Sequence, residues 1–208
     1  MNRDHTVEEL DDPALPSEVV AQAYRDLART HRWLGNTRAI LRRVRGARSV
    51  LDLGCGQGAL LREIRAKLGI DVMGFDLRAA PSATEVPIVA GDAVTDSLPR
   101  ADVAIAVCFV HHLSEEELIR LIRNVSRSCR RFIILDLVRH WLPLWLFRIF
   151  VAPFLSRINR EDGVTSVRRA FTIRELRRVV NAAVEGTGAR VSQTVAPLMI
   201  RQIIEIRW

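Results

Sequence analysis

The chain has 208 residues, 49% apolar and 26% charged, which suits one α/β domain with its own core and excludes collagen-like, mucin-like and wholly disordered chains. Three cysteines are too few for a disulfide scaffold, so a reducing, cytoplasmic setting is expected. Cys55, Cys108 and Cys129 lack zinc-ligand spacing, and no metal is expected. The net charge of +7 comes almost wholly from arginine, Lys67 being the only lysine; the arginines are spread along helices, which reads as a solvated face rather than a nucleic-acid site.

Residues 1–17 are polar and acidic and read as a mobile tail, with no apolar signal-peptide centre. From Glu18 to Val44 apolar residues recur at helical spacing, interrupted at Gly35-Asn36, so two helices or one broken helix are expected. Amphipathic and too short to fold alone, residues 18–46 should form a helical cover in which Tyr24, Arg32 and Trp33 lie near one another.

Ser49–Leu53 predicts a strand, followed by a glycine loop at 54–58 and a helix through about Lys67. Further strands are expected at Ile70–Phe75, ending at Asp76, and at Pro87–Ala90, ending at Gly91-Asp92. Ala101–Phe109 is a continuous apolar run, as a strand buried on both faces requires. Ser114–Ser128 reads as a helix with a Ser114/Glu117 capping box and a stripe of Leu118, Leu121, Ile122 and Val125. A strand at Phe132–Leu137 follows.

His140–Leu155 is densely aromatic and aliphatic but too short to span a membrane. Next come a polar loop over 156–171, a helix at Thr172–Val184 capped by Thr172 and Glu175, and strands at Ala189–Val195 and Arg201–Arg207. This alternation implies a doubly wound, mainly parallel sheet with an antiparallel terminal hairpin, in one domain over residues 18–208.

The chemistry begins at Val50-Leu-Asp-Leu-Gly-Cys-Gly-Gln-Gly58. A glycine turn between the first strand and its helix lets a ligand approach the backbone at the carboxyl edge of the sheet. Gly54, Gly56 and Ala59 also satisfy G-x-G-x-x-A, a weak dinucleotide signal. Asp52, just before the loop, would oppose a pyrophosphate but suits a cationic ligand such as S-adenosylmethionine. Asp76 is placed to accept hydrogen bonds from ribose hydroxyls, and Asp92 to meet an adenine amino group beside Ala93.

With VLDLGCGQG, GFDLR, AGDAVTDSLPRADVAIAVCFVHHL and RRFIILDL in this order, the sequence resembles the class I S-adenosylmethionine-dependent methyltransferases over residues 47–137 and, through its terminal helix and hairpin, to Trp208. The resemblance implies a seven-stranded Rossmann-like sheet with the last strand inserted antiparallel. It also implies cofactor contacts from Asp52, Gly54, Cys55, Gly56, Asp76, Leu77, Asp92, Ala93 and Cys108, with Arg32 and Trp33 closing over them. HRWLGNTRAILRR (31–43) and DGVTSVRRAFTIREL (162–176) resemble a small bacterial branch associated with polyketide-type metabolism. The D/N-P-P-Y/F motif of DNA and RNA amino-methyltransferases is replaced by Cys108-Phe-Val-His-His112, which argues against nucleic-acid bases as acceptors.

The expected reaction is O-methylation of a small lipophilic acceptor, phenolic or polyketide-like. A base would come from His111, after the fourth strand, or His140, after the fifth. His112 is expected to be structural and Asp136 to shape the turn or pocket; His5 and His31 have no assigned role. Residues 138–170 are expected to form a lid whose aromatic wall, Trp145 included, selects the acceptor. Core packing, a homodimer contact and a peripheral membrane contact are the alternatives for that segment. Two competing classes are a nicotinamide-dependent oxidoreductase and a cofactor-binding partner subunit without turnover.

Overall fold

Seven strands form one sheet in the computed structural model, which describes residues 1–12, 14–78 and 85–208. They are β1 (Ser49–Leu53), β2 (Asp71–Asp76), β3 (Ile88–Ala90), β4 (Ala101–Val107), β5 (Cys129–Asp136), β6 (Arg190–Val195) and β7 (Gln202–Arg207). Their order is β3-β2-β1-β4-β5-β7-β6; β7 runs antiparallel to both its neighbours, while the β1–β5 pairings are parallel. The first strands thus diverge on either side of β1, and a ligand crevice opens at the carboxyl ends of β1 and β4.

Both sheet faces are covered by amphipathic helices. On one face α4 (Glu115–Ser128) and α7 (Ile173–Val184) bury Leu118, Leu121, Ile122, Leu176, Val179 and Val180 against Leu51, Leu53, Ala104 and Ala106. On the other, α2 (Asn36–Val44) and α3 (Ala59–Leu68) bury Ile40, Val44, Leu61 and Ile64 against Val50, Val103, Ile105 and Ile133. Each such buried side chain contributes about 1.5–3 kcal/mol of transfer free energy, so the apolar stripes and not helix propensity hold these helices. Both expected capping boxes form, Ser114 with Glu117 and Thr172 with Glu175. α1 (Ser17–Trp33) ends where Gly35 takes φ 75°, the expected break before α2.

Three expectations are corrected. The fourth strand stops at Val107 rather than Phe109, because Cys108 adopts φ 51° and turns the chain into a short helical turn, Val110–His112.

The expected polar loop is a helix, α6 (Arg157–Arg169), with Ser156 Oγ accepting from the Asn159 N–H. Its inward face carries Asn159 and Asp162 beside Ile158 and Val167, so hydrophobic periodicity understates it. Asn159 Nδ2 donates to Ala23 O at 3.0 Å, and the Asp162 carboxylate accepts from the N–H groups of Glu9 and Leu10 at 2.7 and 2.9 Å.

Those last bonds belong to the third correction: residues 1–12, the start of the expected mobile tail, are docked. Arg3 Nε donates to Arg169 O, its Nη2 to Leu113 O, and its guanidinium lies 3.8 Å from the Phe171 ring centroid. Pro13, also within that tail, lies outside the described residues.

Candidate active site

A cavity of about 1380 Å³ runs along the carboxyl edge of β1, β2 and β4, beneath α1 and the docked N-terminal segment. Single-ligand sites commonly occupy roughly 300–1,000 Å³, so this one has room for two ligands side by side. Its lining includes Arg32, Asp52, Gly54, Cys55, Gly56, Asp76, Leu77, Asp92, Ala93 and Cys108, all expected around a cofactor. It does not include Trp33, which was expected to close over the cofactor and instead lies 63% exposed with its ring edge-on to Phe154.

The glycine loop is shaped by side chains from other elements. A Cβ on Gly54 would stand 2.4 Å from the Phe109 ring, and one on Gly56 would stand 2.5 Å from Tyr24 Cε1. Both glycines also have positive φ, so neither position admits a side chain without displacing an aromatic wall. The three glycine amides of the loop have protein partners: Gly54 N–H donates to Phe75 O, Gly58 N–H to Cys55 O, and Gly56 N–H to Asp76 Oδ2 at 2.7 Å. A phosphate-binding loop needs such amides free to face its ligand, and these are not.

The carboxylates differ in their surroundings. Asp52 is 3% exposed and, among the described residues, its carboxylate accepts no hydrogen bond, yet it lines the cavity. Burial, reinforced by Asp76, holds its pKa well above the usual carboxylate range. An unpaired buried carboxylate facing a cavity fits a cationic ligand group. Asp76 accepts from Gly56 N–H and from Arg78 N–H at 2.9 Å, which leaves lone pairs for further donors. Asp92 accepts from Val94 N–H and Thr95 Oγ1 while still lining the cavity beside buried Ala93. At the rim, Arg32 Nη1 lies 3.6 Å from Glu63 Oε1.

The histidines separate. His111 is 3% exposed and lines the cavity. Its Nδ1 lies 2.8 Å from Asp136 Oδ1, its backbone N–H donates to Asp136 Oδ2, and its Nε2 has no hydrogen-bond partner. Burial pulls its pKa down, but the carboxylates of Asp136 and Glu8 outweigh that and push it up to about 9. His112 lies beside it with ring centroids 4.3 Å apart.

His140 is not brought to the cavity. Its Nδ1 caps α5 (Trp141–Leu146) by accepting from Leu142 N–H, and its ring lies against Trp141. The aromatic segment after it faces outward: Trp141 and Trp145 are 65% and 56% exposed, and Ile149, Phe150 and Phe154 are exposed too. Only Phe147 and Leu155 from this segment reach the cavity wall, so Trp145 is not part of an acceptor wall. Glu8 and Asp11, supplied by the N-terminal segment, were not anticipated. Glu8 and Asp11 lie a hundred or more residues from His111 and His112 in sequence, and no local motif signals such proximity.

Comparison with known proteins agrees with this architecture. A family model described as an O-methyltransferase domain matches residues 16–138. The plantazolicin methyltransferase BpumL in complex with SAH superposes with a TM-score of 0.71 at 16% identity, covering 95% of this chain and 91% of that one. Human N-acetylserotonin methyltransferase in complex with SAM gives a TM-score of 0.61 at 18% identity, covering 89% of this chain and 55% of that one. The mitomycin 7-O-methyltransferase MmcR gives 0.54 at 18% identity, covering 79% and 50%. No curated protein matches the sequence.

Proposed function

The chain belongs to the O-methyltransferase domain family and is an S-adenosylmethionine-dependent methyltransferase, and from that premise we propose that it methylates an oxygen of a small lipophilic acceptor, phenolic or polyketide-like, held beside His111. When bound, S-adenosylmethionine supplies an electrophilic methyl group on a cationic sulfur, transferred by in-line displacement. The chain's own work is to bind, align and exclude water, worth up to about 7–11 kcal/mol when alignment is tight.

Asp52 takes the cationic end of the cofactor and Asp76 its ribose hydroxyls. Asp92 and Ala93 take its adenine, with Cys55 and Cys108 in the loop walls and Arg32 and Leu77 at the rim. The observation that carries the reading is the cavity itself. Its lining includes apolar Phe109, Leu137, Phe147 and Leu155 together with buried His111, whose Nε2 neither accepts nor donates a hydrogen bond among the described residues. An apolar wall beside a small group of convergent polar side chains, His111 among them, suits a lipophilic molecule bearing a reactive hydroxyl. Asp136 orients the His111 ring and the Val110–His112 turn sets its depth.

The committed loop amides disfavour the nicotinamide reading. Turnover with methyl-labelled S-adenosylmethionine on alkylated phenols, polyketide-like enols and hydrophilic catechols tests the proposal. O-methylated products from the lipophilic members are expected; C- or N-methyl products, or no turnover on any hydroxyl acceptor, would overturn it.

A further inference from the structure

We infer that Glu8, His111 and His112 form a binding site for a divalent transition-metal ion on the acceptor side of the cavity. Glu8 Oε1 lies 3.5 Å from His111 Nε2, and Glu8 Oε2 lies 3.9 Å from His112 Nε2. One donor atom from each of the three residues lies within 4.8 Å of the other two. Metal–ligand bonds of about 2.0–2.2 Å put neighbouring donors roughly 3–4 Å apart. The spacing therefore suits one ion once the adjacent His111 and His112 rings, with centroids 4.3 Å apart, rotate to bring both Nε2 lone pairs onto it.

The second coordination layer is already built. A metal-bound histidine commonly gives its other ring N–H to a carboxylate, which fixes the tautomer and aims the free nitrogen. His111 shows that arrangement, with Asp136 Oδ1 2.8 Å from its Nδ1, and Asp11 Oδ2 stands on the corresponding side of His112, 3.5 Å from its Nδ1. Both Nε2 atoms therefore point at the same carboxylate. His111 is buried, and its Nε2 is aimed into the cluster without a hydrogen-bond partner. Glu8 is fixed in turn by Ser166 Oγ, which donates to Oε1 at 2.7 Å.

Three carboxylates thus surround two imidazoles. The neighbouring cations address main-chain carbonyls: Arg3 those of His111 and Leu113, Arg169 that of His112, and Arg78 those of Leu10 and Asp11. Two imidazoles and one carboxylate suit Zn²⁺, Mn²⁺ or Fe²⁺ and leave positions open; Mg²⁺ and Ca²⁺ prefer all-oxygen sets. All three residues line the cavity. An ion there would bind the acceptor oxygen, release its proton to solvent and hold the oxyanion for attack. That role rests on the O-methylation reading; the binding of the ion does not.

The test uses the untagged, metal-stripped full chain, titrated calorimetrically with Zn²⁺ and Mn²⁺, and loaded with Co²⁺ for its visible spectrum. One ion per chain is expected. Glu8→Gln and His112→Ala should each weaken it at least tenfold, with Asp136→Asn doing so by about 10–100-fold. Far-UV dichroism and S-adenosylhomocysteine affinity, read in parallel, should stay at wild-type values in His112→Ala. Absence of stoichiometric binding, or affinities and a Co²⁺ spectrum indifferent to His112→Ala, would overturn the site and leave a proton on His111 as the occupant between Asp136 and Glu8. Failure of S-adenosylhomocysteine to bind would instead count against the methyltransferase reading.

Discussion

Asp52, proposed to take the cationic end of the cofactor, carries a stability cost at the scale of one residue. A carboxylate buried without a cation raises the free energy of the ligand-free fold, and its elevated pKa records that cost. Asp52→Asn should therefore raise the melting temperature of the ligand-free protein, by about 2–4 °C for each kcal/mol relieved. The gain should grow with pH, because the folded state binds the Asp52 proton more tightly than the unfolded chain does. The same variant should bind S-adenosylmethionine more weakly; calorimetry and thermal melts together check both signs.

His31 gives the opposite sign for a base. Burial pulls its pKa down to about 4, and its Nδ1 is 2.9 Å from Asn36 Nδ2. Its neutral form stabilises the fold above about pH 6.5, the unfolded value, and that contribution is lost as pH falls towards 4. His31→Gln should flatten this part of the stability–pH curve, measured by denaturant unfolding between pH 7 and 4.

At the level of single elements, packing and not propensity decides α6. Alanine in place of a mid-helix glycine is ordinarily favourable by about 1 kcal/mol. A Cβ on Gly163, however, would stand 2.2 Å from the Phe147 ring, and overpacking costs typically 1–3 kcal/mol. Gly163→Ala should lower stability, and adding Phe147→Ala should recover part of the loss. The aromatic segment makes a separate prediction about catalysis. Because Phe147 lines the cavity and Trp145 faces solvent, Phe147→Ala should raise the Michaelis constant of a lipophilic acceptor, whereas Trp145→Ala should leave it within twofold. A rise with Trp145→Ala and none with Phe147→Ala would reverse that division.

What the sequence makes legible follows from the range of the interactions involved. The carboxylates Asp52 and Asp76 lie in the last residues of β1 and β2 and Asp92 two residues past β3, so they are local features whose convergence on one cavity can be read from strand order. α6 escapes detection because Asn159 and Asp162 on its inward face bond to the backbone of α1 and the N-terminal segment, a burial that hydrophobic periodicity does not register. The turn at Cys108 carries no glycine to announce its positive φ. Glu8 reaches His111 only once the whole chain has folded.

Over the whole molecule, the alternation of strands and helices fixes a parallel sheet, and the reversal of strand order about β1 fixes where a ligand can enter. The family assignment gives S-adenosylmethionine as the cofactor, and the central proposal is that the crevice holds it through its strand-end carboxylates. Removing the charged hydrogen bonds of one such group costs roughly 1.5–3 kcal/mol, or about one to two decades of affinity. The most direct measurement is calorimetric titration of the full chain and of folded Asp76→Ala with S-adenosylhomocysteine, with NADH as the competitor ligand. The account predicts one molecule of S-adenosylhomocysteine per chain, about 10–100-fold weaker binding in Asp76→Ala, and no heat from NADH; an unchanged dissociation constant in the variant, or preferential binding of NADH, would contradict it.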